Sequence, residues 1–168
     1  MASKVYFKVG QAVFYPSAGV GMIEGKEDIY LTGQRECCFV IRILESGARI
    51  KVPCVNVEQN GIRPLLDGKK VHELYRVLSG TSRRRPTTGN PVERTRELAR
   101  KVNNGSCLEI GEVVRDLLRW KSQKNLSFDE VRLLETGCNH LAREVSVVTG
   151  ISPEDAIVRI REQVGVAA

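Results

Sequence analysis

Two histidines and five cysteines are the side chains of this 168-residue chain whose types could support nucleophilic, acid–base or metal chemistry. An enzyme needs a positioned base, nucleophile or metal, with its partners in reach. His72 and His140 have no such partner by spacing. Cys138 and His140 stand two apart in a helical pattern, which sends them to different faces. Cys37, Cys38, Cys54, Cys107 and Cys138 are odd in number and show no CxxC spacing, and the adjacent pair does not bridge easily. Reduced thiols in a cytosol are therefore expected. A zinc site would need three or four ligands at matched spacing, and none is present in the pattern. No glycine loop suited to cradling a phosphate occurs either. The chain is read as a non-enzyme with no cofactor and no small-molecule substrate. A thiol enzyme or redox protein is the competing class, which a thiol-activity assay separates.

The remaining chemistry belongs to guanidinium and ammonium groups. The formal charge of +6 is unevenly distributed. Residues 83 to 124 carry eleven Lys/Arg against five Asp/Glu, whereas residues 125 to 168 carry four against seven. A basic excess confined to one stretch is an electrostatic footprint for phosphate if its side chains share a face, and a solvated helix surface if they do not.

These groups must be positioned by secondary structure. From Phe7 to about Leu66, short strands are separated by turn signals: Gln11–Pro16, Gly19–Gly25, Cys37–Leu44, Arg49–Pro53 and Gly61–Leu65. Phe39, Ile41 and Ile43 alternate with Val40, Arg42 and Leu44, which is strand periodicity. Five short strands in so few residues predict a small antiparallel barrel or a strongly bent sheet. Val71, Leu74, Tyr75 and Leu78 then share one face of a helix expected to cover an edge or end of that sheet. The polar run Ser79 to Gly89 is read as a linker.

Beyond it, four helices are announced by caps: Asn90 before Pro91, Ser106 with Glu109, Ser127 with Glu130, and Ser152 before Pro153 with Asp155. A stop at Asn103-Asn104-Gly105 ends the first, and a break near Gly137 in the third is left open. The expected class is α+β, with a small SH3-like antiparallel β-barrel and closing helix over residues 1–79, a linker over 80–89 and a helical bundle over 90–168. No run approaches the roughly 18 apolar residues of a membrane span, and a cytoplasmic protein without membrane contacts is expected.

The opening Phe7-Lys8-Val9-Gly10-Gln11-Ala12-Val13-Phe14-Tyr15-Pro16-Ser17-Ala18-Gly19-Val20-Gly21 resembles the start of the CarD/CdnL family of bacterial transcription regulators, approximately FxVGDxVVYPxHGVG. The resemblance continues in family order through Phe39 to Leu44, Lys51-Val52-Pro53, Asn56-Val57, Gly61-Ile62-Arg63, Val113 to Leu117 and Leu126-Ser127-Phe128. It implies a Tudor-like barrel that binds the RNA polymerase β subunit, similar to the corresponding domain of transcription-repair coupling factors. It also implies a helical module touching promoter DNA at the upstream edge of the melted region and modulating open-complex formation. By position, Ile29, Ile41, Lys51 and Pro53 would contact polymerase; the alternative for Ile41 and Pro53 is core and strand end.

Two departures bear on mechanism. The family carries a tryptophan, two arginines and a tyrosine near the start of the first C-terminal helix, where the indole wedges into the minor groove. Here Pro91, Val92, Glu93, Arg94 and Thr95 stand there, so the wedge is missing and only Arg94 keeps the basic character. The sole tryptophan, Trp120, is read as a bundle residue. In the third helix Arg132 matches a family basic position, while Val131 and Cys138 replace others. Expected phosphate contacts are Arg83, Arg84, Arg85, Arg94, Arg96, Arg100, Lys101, Arg115, Arg119, Lys121 and Arg132, which hold register without reading sequence. A divergent paralogue that docks on polymerase without stabilising the promoter complex, as a competitor or adaptor, is the alternative.

Overall fold

The computed structural model describes residues 7–166, and its contacts divide the chain into two compact units, Met1–Leu65 and Leu66–Ala168. In the first unit, strands β1 (Ala12–Tyr15), β2 (Gly19–Leu31), β3 (Gln34–Ile43), β4 (Arg49–Pro53) and β5 (Arg63–Pro64) form one sheet in the order β4-β3-β2-β1-β5. Every pairing is antiparallel. The small antiparallel sheet expected from the strand pattern is present. One face buries Phe7, Val13, Ile23, Phe39, Ile41, Ile43, Val52, Val57 and Ile62, as the alternation along β3 requires.

β2 and β3 extend well beyond the strands read from the sequence. The segment from Glu24 to Leu31 is mostly exposed and polar, so it offers no alternation to detect. It pairs with β3 out to Leu31 opposite Gln34, closed by Thr32 at φ 50° and Gly33 at φ 80°. Two consecutive positive φ values give a turn whose twist matches a hairpin. The register slips between Ile23 and Gly25, which marks where the core-facing part of β2 gives way to the projecting arm.

The second unit contains α1 (Gly68–Ser79), α2 (Pro91–Asn104), α3 (Cys107–Gln123), α4 (Phe128–Thr149) and α5 (Pro153–Val164). The four predicted caps are all formed: Asn90, Ser106, Ser127 and Ser152 each accept a backbone N–H, and Ser106/Glu109 and Ser127/Glu130 are complete capping boxes. α4 runs unbroken through Gly137, which is buried and packed so closely on α3 that a Cβ there would fall 2.9 Å from Val114 Cγ2.

Two expectations are corrected. α1 belongs to the helical unit, not to the unit of the sheet: Val71, Leu74 and Leu78 lie in the helical core with Ile110, Leu117, Leu141 and Ile160. The sequence shows that α1 has an apolar face but not which surface receives it. The receiving notch is at Gly111 of α3, where a Cβ would fall 2.7 Å from Leu74 Cδ1. Nor is Gly80–Gly89 a spacer between units. Arg119 Nη1 donates to the Gly80 carbonyl, Arg83 N–H donates to Asp116, Trp120 Nε1 donates to the Arg83 carbonyl at 2.7 Å, and Arg94 Nη1 donates to the Pro86 carbonyl. These bonds make the segment a strap on the helical unit, invisible to composition because their partners lie far along the chain.

Candidate functional site

In the first unit the open feature is β4. It occupies one edge of the sheet, paired only with β3, and among the described residues its outward backbone groups have no partner strand. Lys51 and Pro53 lie on this edge, and the Lys51 ammonium sits 2.8 Å from Glu27, which raises its pKa above the ordinary lysine value. Arg49 and Arg42 both reach Glu24, at 2.8 and 3.0 Å. Ile29 is half-buried on the projecting arm of β2, near the exposed Tyr30 and Leu31. Ile41 is only 1% exposed. Its side chain belongs to the core, which is the alternative that the sequence left open for it.

In the second unit the strap and the α3–α4 corner enclose an open cleft of about 860 Å³. Arg83, Arg84, Arg85, Arg94 and Lys124 line it. Arg94 and Arg85 both point at Glu130, whose carboxylate is 1% exposed; Arg85 is at 2.5 Å and Arg94 at 3.8 Å. Because Arg94 lies in the first turn of α2 and Glu130 in the first turn of α4, the two helix N-termini stand side by side, adding their partial positive charges to the cleft.

The structure separates the eleven expected phosphate contacts into two sets. Arg83, Arg84, Arg96, Arg100, Lys121 and Arg132 are exposed. The other five are engaged internally. Arg85 and Arg94 neutralise Glu130, and Lys101 lies between Glu97 and Glu112 at 4.0 Å from each. Arg115 is buried on Asp116 at 2.9 Å and donates to the Val77 carbonyl. Arg119 donates to the carbonyls of Leu78, Gly80 and Val164, closing the C-terminal ends of α1 and α5. Counting charge along a sequence cannot distinguish a guanidinium that faces solvent from one that satisfies a buried acid.

Three residues were missed in the sequence. Lys124 lines the cleft. Phe128, at the first position of α4, is 76% exposed, with the Arg132 guanidinium 5.9 Å from its ring. Val92, beside Pro91 at the start of α2, is 57% exposed. Only the cap signal at Ser127 hinted that Phe128 stands at a helix start, where little of the helix covers it. Trp120 is 5% exposed and is a bundle residue, as expected.

Cys138 lies in the helical core, and burial pushes its thiol up to about 11, which keeps it protonated and unreactive near neutral pH. Among the described residues no cluster of three His, Cys, Asp or Glu side chains can hold a metal, and no helix is long and apolar enough to cross a membrane.

Comparisons with known proteins agree with this division. Residues 7–66 match the CarD-like/TRCF RID domain family and residues 73–161 match the CarD C-terminal domain family. The Bacillus subtilis protein YdeB, named as a candidate transcription factor, is 27% identical over 146 residues, covering 87% of this chain and 94% of that protein. The solved structure of CdnLNt from Myxococcus xanthus is 38% identical, covers 39% of this chain and 93% of its own, and superposes with a TM-score of 0.32.

Proposed function

Because the chain belongs to the CarD/CdnL family of RNA polymerase-interacting transcription regulators, we propose that its sheet docks on the polymerase β subunit through β4. The helical unit then meets promoter DNA through the strap cleft and the starts of α2 and α4. The open edge of β4 is the observation that carries the docking reading. An exposed edge accepts a partner strand by main-chain hydrogen bonds, with Lys51 and Pro53 supplying side-chain selectivity.

Exposed Arg83, Arg84 and Lys124 beside two helix N-termini support phosphate contact on the DNA side. Phe128 and Val92 supply apolar surface next to those cations. Such groups offset the unstacking of a base step, roughly a few kcal/mol, by holding distorted DNA open. The protein thus acts in the cytoplasm as a non-enzymatic regulator of open-complex formation, without reading an operator sequence.

One observation favours the docking-only alternative. The start of α2 carries no tryptophan, and its Arg94 is drawn inward to Glu130. Open-complex lifetime on a ribosomal-RNA-type promoter, measured with purified bacterial polymerase after binding to the β subunit is verified, decides between them. A lengthened lifetime supports promoter stabilisation; an unchanged or shortened one with intact binding identifies a docking paralogue.

A further inference from the structure

Cys37 near the start of β3 and Cys54 just after β4 bring their sulfurs to 3.4 Å. Strand register explains this. Cys38 is opposite Pro53 and Phe39 opposite Val52, so Cys37 and Cys54 stand one rung beyond the last pair. Residues opposed across antiparallel strands have Cα atoms about 4.5–5.5 Å apart. That lies inside the range of about 4.4–6.8 Å that a disulfide spans. Cys37 is exposed, Cys54 is half-buried, and both are free thiols. Cys38 is 0% exposed and turned to the other face of the sheet.

We propose that Cys37 and Cys54 are an oxidisable dithiol, closed to a disulfide by hydroperoxides, that clamps the edge strand β4 for docking. The docking half of this rests on the reading given under Proposed function. Cys37, the exposed sulfur, attacks the peroxide; the O–O bond breaks, Cys37 becomes a sulfenic acid and one alcohol or water leaves. Cys54 sulfur then attacks the Cys37 sulfur, the S–S bond forms, the S–O bond breaks, and hydroxide departs as water with the Cys54 proton. Two thiols lose two electrons and two protons, which the peroxide takes up. Burial and the contact with Cys37 push the Cys54 thiol up to about 11, so it retains that proton until the second step. Thiol reductants reverse the bond by exchange. In a reducing cytosol disulfides are transient and signal oxidant, which suits an exposed pair rather than a structural staple.

The bond would tie the end of β4, next to Pro53, to the body of the sheet. Strand addition must fix that edge, and a cross-link fixes it beforehand, so the oxidised form is expected to bind polymerase about 2- to 10-fold more tightly.

The test treats the full chain with hydrogen peroxide, quenches it and counts thiols after denaturation. Five thiols should fall to three. Tryptic peptides 36–42 and 52–69 should appear joined, with the loss of two hydrogens, and Cys37→Ser should abolish the joined species. Five intact thiols, sulfinic acid at Cys37 without linkage, or joined peptides persisting in Cys37→Ser would each overturn the dithiol. Equal affinity of linked and reduced protein for the isolated β lobe would overturn the clamp. Binding by neither form would overturn the docking reading itself, while the thiol count still decides the dithiol.

Discussion

Arg85 Nη2 lies 2.5 Å from Glu130 Oε2, and that carboxylate, 1% exposed, also accepts the Ser127 N–H of its own capping box. One acid thus fixes both the strap and the start of α4. Removing one partner of a buried pair leaves an uncompensated charge, which is costlier than losing the pair altogether. Arg85→Ala is expected to destabilise the helical unit by about 2–4 kcal/mol. Urea unfolding followed by Trp120 fluorescence checks it, since the Trp120 indole is bonded to the strap. A change under about 0.5 kcal/mol would mean that the strap is not held by this pair.

The cleft cations should behave differently from the internal ones. Arg84→Glu with Lys124→Glu should weaken DNA binding uniformly across sequences while leaving the urea midpoint unchanged. Each lost phosphate contact should also flatten the log–log salt dependence by about 0.9. Electrophoretic mobility at several salt concentrations reads both effects. An unaltered slope would exclude the cleft as the phosphate-facing surface.

Phe128→Ala should be silent in stability, within about 0.5 kcal/mol, because the ring is 76% exposed. On a promoter it should shorten open-complex lifetime by about tenfold if the ring holds a distorted base step. Equal lifetimes for wild type and variant would remove Phe128 from the DNA interface.

Lys51→Glu and Ile41→Ala separate docking from folding. The first places a second carboxylate beside Glu27 on the edge and should reduce affinity for the isolated β lobe roughly tenfold, with little loss of stability. The second opens a cavity in the sheet core and should cost about 2–5 kcal/mol in thermal or urea unfolding. A stable Ile41→Ala with specifically impaired docking would restore Ile41 as a contact.

Alkali should weaken the fold through its thiols. Cys54 and Cys138 are both pushed up to about 11 from the ordinary 9.0, chiefly by burial. The folded state therefore holds protons that the unfolded chain gives up, and stability falls as pH rises from about 9 through about 11. Cys138→Ala should flatten this decline in pH-dependent urea midpoints; an identical decline in the variant would assign it elsewhere.

What the sequence disclosed was local. The caps at Asn90, Ser106, Ser127 and Ser152 and the alternation of Phe39, Ile41 and Ile43 depend on neighbours within a few residues, and each is formed as read. What it concealed depends on distant partners. Leu74 meets Gly111, Arg85 meets Glu130 and Cys37 meets Cys54 across turns that composition does not specify. The candidate site was legible as a basic stretch but not as a surface. Arg115 and Arg96 are equivalent in a charge count, yet one is buried on Asp116 and the other faces solvent.

Arg119 joins the C-terminal carbonyls of α1 and α5, donating to Leu78 and Val164 at sequence separations of 41 and 45 residues. A unit closed by its first and last helices gains little until the final helix arrives, because loop-closure entropy precedes the contacts that offset it. The sheet has no such dependence, since its longest strands meet across a two-residue turn. On a ribosome the order of emergence reinforces this, with the N-terminal unit folding first. Each new copy thus completes its β4 edge while the helices are still unassembled, so on the proposed reading the docking edge matures ahead of the DNA-facing surface.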